Sequence, residues 1–242
     1  MKTIRIYQPG EYQINDTITL SEKAGQHVGV VLRKQPGEIL TLFSGDNHEY
    51  QAEINTVHKK KVTVTITNAG EVNRESQLSI HLAQSISKGE RMELVIQKAT
   101  ELGVASITPV ISARTVVKLD TGRLEKKHNQ WHAIAISACE QCGRNIIPVI
   151  HPPIALPQYL KQLDIQNRLI LDPGAGLRFK NIQEVDSEVA LLIGPEGGFN
   201  MQEIAETEQS GFSGISLGPR VLRTETAAIT ALSLLQAFYG DL

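Results

Sequence analysis

The stretch EVALLIGPEGGFNMQEIAETEQSGFSGISLG at residues 188–218 decides the architecture. Its first residues are nearly all apolar, which suits a strand covered on both faces. Gly194-Pro195-Glu196-Gly197-Gly198-Phe199 then interrupts the run. Asn200, with Glu203 three positions on, is a helix-start signal, and Gly211 ends that helix. GISLG at 214–218 reads as the next strand. Strand, glycine-rich loop, helix and strand form the repeating unit of an α/β domain with a mostly parallel sheet.

The same alternation extends outward. QLSIHLA (77–83), ASITPVI (105–111), IIPVI (146–150) and NRLILD (167–172) are further strand candidates. Ser87-Lys88-Gly89-Glu90 has the spacing of a capping box. Met92, Val95, Ile96, Ala99 and Leu102 follow at helical spacing, and Gly103 stops them. Another helix carries Trp131, Ala135 and Ala138. A last one is expected over Thr224–Tyr239, with Ala228, Ala231, Leu232, Leu235 and Phe238 as its apolar stripe. Upstream of about residue 75 the character is mainly β, with EILTLFS (38–44), EYQAEINT (49–56) and KVTVTIT (61–67) as short strands. Gly45-Asp46-Asn47 supplies turn chemistry between the first two. Ser21 caps a short helix showing Ala24, Val28, Val31 and Leu32 on one side, and Pro36-Gly37 ends it. A small β-barrel with one helix is expected, joined by the polar linker GEVNRES (70–76).

Three of the strands end in loops suited to a ligand: 171–176 (LDPGAG), 194–199 (GPEGGF) and 217–226 (LGPRVLRTET). In open parallel sheets ligands bind beyond the carboxyl ends of the strands. Glycine allows close approach of main chain to a bound molecule. Each loop taken singly reads equally well as a tight turn; three on one sheet edge favour an enclosed small molecule. No G-x-x-x-x-G-K-[ST] and no G-x-G-x-x-G is present, which argues against P-loop hydrolases and dinucleotide dehydrogenases. The usual glycine-rich methyltransferase loop is also missing after residues 77–83.

Composition narrows the class further. The net charge of −2 opposes bulk-charge coating of nucleic acid but leaves room for a local basic patch. There is no run of eighteen apolar residues, and MKTIRIYQPGEYQIND contains no secretory apolar segment, so a cytoplasmic protein without a membrane span is expected. Two cysteines make no disulfide framework. Cys139-x-x-Cys142 and the His128/His132 pair lack the further ligands that zinc requires, so packed thiols and no metal are expected.

Together, GPEGGF (194–199), LGPRVLRTETA (217–227), ERMELVIQKATELGV (90–104) and EQCGRNIIP (140–148) resemble one family, the small-subunit ribosomal RNA methyltransferases E. IRIYQP (4–9) and HVGVVLRKQPGE (27–38) fit it too, so the resemblance covers essentially the whole chain. It implies the SPOUT superfamily: an α/β domain with a C-terminal trefoil knot, here over 73–242, and a PUA-like RNA-binding β-barrel over 1–72. Knots are nearly absent from proteins as a class, so no general rule would suggest one. The resemblance further implies S-adenosyl-L-methionine as cofactor, a 16S rRNA uridine in the small ribosomal subunit as substrate, methylated at N3, and a homodimer.

What the resemblance implies for individual residues is specific. Cofactor contacts fall to Leu171, Asp172, Pro173, Ile193, Gly194, Pro195, Glu196, Gly197, Gly198, Leu217, Gly218, Leu222 and Thr224. Arg223, beside the expected cofactor, is the first candidate to stabilise charge on the substrate. Glu196 or Glu225 would orient that guanidinium or help take the proton; a structural salt bridge is the competing role for both. Arg5 is a second catalytic or RNA-binding candidate. Arg33, Arg91, Arg114, Arg144 and Arg220 are candidates for RNA phosphates, with a solvated surface position as the competing role for each. The rival functions are methylation of another RNA, a non-catalytic RNA-binding module, and an enzyme using another nucleotide-like cofactor.

Overall fold

The computed structural model describes residues 4–115, 121–182 and 185–242. The chain divides into two compact units: residues up to Glu75 with Ile136–Ile147, and Ser76–Ala135 with Pro148–Leu242.

In the first unit five strands pair in the order β1-β3-β4-β5-β2. They are β1 (Ile4–Tyr7), β2 (Thr17–Thr19), β3 (Ile39–Phe43), β4 (His48–His58) and β5 (Lys61–Glu71). The β1/β3 pair is parallel; β3/β4, β4/β5 and β2/β5 are antiparallel. β1 and β2 escape sequence reading because each is only three or four residues long. Leu40, Leu42, Ala52, Ile54, Val62, Val64 and Ile66 alternate into the core of this unit. Helix α1 (Glu22–Gln26) is capped by Ser21, whose Oγ accepts from the Ala24 amide at 3.3 Å.

That helix continues as a π-helical turn over His27–Val31, and the expected Val31 contact fails there. The wider i→i+5 turn, with Leu32 donating to His27 O, rotates Val31 off the buried stripe and leaves it 62% exposed. The turn ends at Leu32, before Pro36-Gly37, where Arg33 takes a left-handed conformation (φ 51°). Gly25 lies against the tip of the β4/β5 hairpin: a Cβ there would sit 2.0 Å from Lys60 O.

The second unit is an α/β layer structure. Its sheet runs β12-β10-β11-β6-β7-β8, with β9 also on β7, and every pairing is parallel. The strands are β6 (Ser79–Ser85), β7 (Ser106–Ile111), β8 (Val149–Ile150), β9 (Ile154–Ala155), β10 (Arg168–Leu171), β11 (Glu188–Ile193) and β12 (Ser213–Ile215). Val189–Ile193 are all buried, as their unbroken apolar run demands.

Helices α2 (Arg91–Glu101), α3 (Thr121–Cys142), α4 (Leu156–Gln162), α5 (Met201–Gln209) and α6 (Thr224–Tyr239) follow in chain order, and α3 crosses from one unit into the other. α4 was not foreseen because Pro157 reads as a breaker, yet proline is tolerated in a first helical turn. Asn200 and Glu203 form the expected capping box of α5. The box expected at Ser87–Glu90 does not form. Gly89 (φ 63°) inserts a turn, α2 starts at Arg91, and Ser87 Oγ faces Ser85 O instead. On α6, Ala228, Ala231, Leu232 and Leu235 are fully buried, but Phe238 is 63% exposed.

β12 sits at the sheet edge, whereas Thr224 just beyond it bonds to Gly194 O after central strand β11. The chain therefore doubles back across the strand ends. Among the described residues no helix is long and apolar enough to cross a membrane.

Substituting Gly25→Ala drives a methyl into the Lys60 carbonyl. Overpacking of this kind costs about 1–3 kcal/mol. A lower urea midpoint is expected; an unchanged one would show that α1 is free to move off the hairpin.

Candidate active site

The three glycine-rich loops meet. Beyond the carboxyl ends of β10, β11 and β12 they enclose a cavity of about 500 Å³, within the range of small-molecule sites. Every residue expected to contact a cofactor lines it except Gly197. Phe199 and Val221, inside the loops singled out above, line it too, as do Ile204, Ile215, Ser216 and Ala227, which the sequence reading missed. Ala227 had a usable signal, since it lies one helical turn after Thr224. Ile204 had none, because only packing of α5 brings it there.

Local chemistry shapes each wall. In the 171–176 loop the Asp172 carboxylate accepts from the Gly174 amide at 2.8 Å, holding a tight turn. The 194–199 loop turns at Gly198, whose φ of 67° favours glycine. Its Gly197 carbonyl accepts from Arg114 Nη1 at 2.6 Å. Arg114, expected to meet RNA phosphate, thus braces this loop. The third wall reaches α6 at Thr224, whose hydroxyl donates to Gly194 O at 2.8 Å.

Charge is sorted unevenly around the cavity. Arg91, expected to contact RNA, lies in the cavity wall. Its Nη1 donates to Glu196 Oε1 at 2.7 Å, and its Nε lies 3.9 Å from Glu225 Oε1. The Lys88 amide donates to the same Glu196 oxygen at 3.2 Å. Partial burial pushes the Glu196 carboxyl up, but its own amide, the Lys88 amide and Arg91 outweigh this and hold it below its usual range. Glu225 is mostly covered, and its Oε2 is buried without a hydrogen-bond partner among the described residues. Arg223, immediately before α6, and Arg220 both line the cavity and are exposed, with no ion pair among the described residues.

The remaining candidates lie elsewhere. Arg5 belongs to the first unit, where it pairs with Glu49, donates to Asn145 Oδ1 at 2.6 Å and to Arg144 O at 3.2 Å, and stacks 4.9 Å from the Phe43 centroid. Its side chain is only 8% exposed. Arg144 is also buried, with Nε 3.1 Å from both Glu75 oxygens. Arg33 is exposed on the first unit. Burial pushes the Cys139 thiol up to about 12, so it is a packed, neutral group. Cys139 and Cys142 are unbridged. Among the described residues no three His, Cys, Asp or Glu side chains converge as a metal site would need.

The fold and cavity point to one class. The family model described as RNA methyltransferase domain matches residues 74–236, and that described as RNA methyltransferase PUA domain matches 20–67. The chain is similar to ribosomal RNA small subunit methyltransferase E of Buchnera aphidicola (subsp. Schizaphis graminum), at 40% identity over 98% of this chain and 97% of that protein. The Bacillus subtilis protein of the same name is 32% identical over 90% and 88%. Among solved structures, a Legionella pneumophila methyltransferase in complex with SAM has 57% identity and a TM-score of 0.98, covering all of both chains. Ribosomal RNA small subunit methyltransferase E of Neisseria gonorrhoeae, bound to S-adenosyl methionine, has 36% identity and a TM-score of 0.93, again over both whole chains. The chain belongs to the ribosomal RNA small subunit methyltransferase E family.

Glu196→Gln removes the carboxylate charge that its own amide, the Lys88 amide and Arg91 hold. A carboxyl held low when folded contributes stability above its unfolded value, near 4.5, and loses it as pH falls through the folded value. The wild type is therefore expected to exceed the variant in thermal midpoint at neutral pH, with the gap closing below about 4.5. A gap independent of pH would show that the carboxylate charge is not its source.

Proposed function

We propose that the chain transfers a methyl group from S-adenosyl-L-methionine to N3 of one uridine in 16S rRNA of the small ribosomal subunit. The observation that carries this reading is the convergence of three glycine-rich strand ends on one cavity, with the exposed Arg223 in its wall. The residues fit the cofactor. Leu171, Ile193, Ile215 and Leu222 offer apolar cover for a purine ring. Asp172 offers negative charge toward an ammonium or sulfonium group. Loop main chain offers hydrogen-bonding groups without side-chain bulk.

S-adenosyl-L-methionine, when bound, supplies an electrophilic methyl group. The chain's own residues bind, orient and stabilise. Confining both reactants in one site contributes about 7–11 kcal/mol of a barrier in favourable systems. Loss of the N3 proton spreads negative charge onto the flanking uracil carbonyl oxygens. Arg223 stays protonated and neutralises that charge. Glu225, whose unpaired oxygen is buried outside the cavity wall, fits the orienting role beside Arg91 rather than contact with substrate. Glu196 is occupied by Arg91 and by the Lys88 amide.

In this reading residues 1–72 are the RNA-binding, PUA-like domain, residues 73–242 form the knotted SPOUT domain, and the doubling back of the chain from β12 to Thr224 supports the knot. Arg33 and Arg220, both exposed, are the retained phosphate candidates. Arg5 and Arg144 act instead as internal struts of the first unit. The protein works as a homodimer in the cytoplasm; Phe238, 63% exposed at the end of the apolar stripe of α6, supports a subunit interface there.

Mass mapping of 16S rRNA from cells lacking the protein tests the reading. A single uridine is expected to lose its N3 methyl, and full retention of every methyl would overturn the assignment. In calorimetry, tighter binding of ATP or NAD than of S-adenosyl-L-methionine would favour another cofactor, and no binding of any would favour a passive RNA module. Arg223→Ala is expected to cut turnover about 10²–10³-fold, the scale of removing one stabilising donor, while cofactor binding persists. Unchanged turnover would remove Arg223 from the mechanism.

A further inference from the structure

Gln84 lies at the carboxyl end of β6, fully buried and outside the cavity wall. A buried amide this close to the site has a price that packing alone would not require. Its Nε2 donates to Thr224 Oγ1 at 2.9 Å and to Ser85 O at 3.1 Å, but its Oε1 is buried without a partner among the described residues. Leaving one end of an amide unpaired in the interior is unfavourable, and methionine or leucine would fill the space without that cost. The donor end is therefore what the position needs.

The direction of the hydrogen bonds is determined. Turning the amide over would place Oε1 against the Ser85 carbonyl, oxygen to oxygen, so Nε2 must face both Ser85 O and Thr224. Thr224 has a single hydroxyl proton. Since its oxygen accepts from Gln84, that proton is left for Gly194 O, 2.8 Å away. Gln84, Thr224 and Gly194 form a one-way relay from the central strand through the start of α6 to the 194–199 loop. Thr224 and Gly194 both line the cavity, on two different walls.

We infer that Gln84 is a positioning residue for cofactor binding, locking the Thr224 hydroxyl onto the Gly194 carbonyl and so fixing the spacing of two cavity walls. The inference rests on the reading of this cavity as the S-adenosyl-L-methionine site. Calorimetric binding of S-adenosyl-L-methionine to the wild type tests that reading separately, and the variants test the relay.

Gln84→Met preserves length and apolar volume but removes the donor. It is expected to weaken cofactor binding about tenfold, equivalent to about 1.4 kcal/mol. The loss falls on Kd and on KM for the cofactor more than on kcat. Thr224→Val breaks the relay at its second link. Because both changes cut one chain, Gln84→Met with Thr224→Val should bind no more weakly than the worse single variant. Additive losses, or a Gln84→Met protein with wild-type affinity, overturn the inference. Gln84→Glu supplies a second measurement should the methionine variant not fold. Its buried carboxyl can donate to Thr224 only while protonated. Its affinity relative to wild type should therefore be higher at pH ~5.5 than at pH ~9, where the ionised form reverses the relay. A constant ratio over that range also overturns it.

Discussion

The hydrogen bond from Thr224 to the Gly194 carbonyl is the constraint on which the second unit depends. It joins the start of the last helix to the end of a central strand, although the chain between them has travelled to β12 at the sheet edge. One such bond contributes only about 1 kcal/mol. Its geometric effect is larger, because it brings the 216–224 segment over the strand ends and makes it a wall of the cavity. Arg114 on Gly197 and the capping box at Asn200 hold the neighbouring loop in the same way, through main-chain contacts.

Electrostatics complete what this geometry begins. The cavity wall holds three arginines, but Arg91 is committed to Glu196 and lies close to Glu225. That pairing leaves the guanidinium groups of Arg220 and Arg223 exposed at the cavity. A cation already shared between two carboxylates is a poor partner for charge developing on a substrate; an unshared one in a preorganised wall is a good one. The division of labour among chemically identical side chains is thus set by neighbours.

The first unit uses arginine differently. Arg5, Arg74 and Arg144 meet Glu49 and Glu75, with Asn145 and main-chain carbonyls filling the remaining positions. The segment EQCGRNI joins this unit through those contacts and through Glu140, which accepts from the Tyr7 amide at 3.0 Å. Such interior networks hold only when nearly every group is satisfied. The carboxylate of Glu49 follows that logic: burial pushes it up, but Arg74, Arg5 and Asn145 outweigh the burial and keep it low.

Much of the fold was legible in the sequence. Unbroken apolar runs such as 189–193 gave buried parallel strands, helical spacing gave α2 and α6, and Asn200-x-x-Glu203 gave the start of α5. These signals are local, since each depends on the few residues that make the element. The three cavity loops were legible for the same reason. What sequence could not supply was partnership. The Ser87 box looked right at four positions and lost to an inserted turn at Gly89; Val31 kept helical spacing and was rotated outward by a π turn. Arg5 is read from the sequence as a catalytic or RNA-binding candidate and Arg91 as a phosphate candidate, but each is held by residues more than forty positions away. Composition and spacing determine which elements form and where they end. Only the assembled tertiary structure decides which charges are consumed and which remain, because ion pairing depends on distances across the chain that no local pattern records.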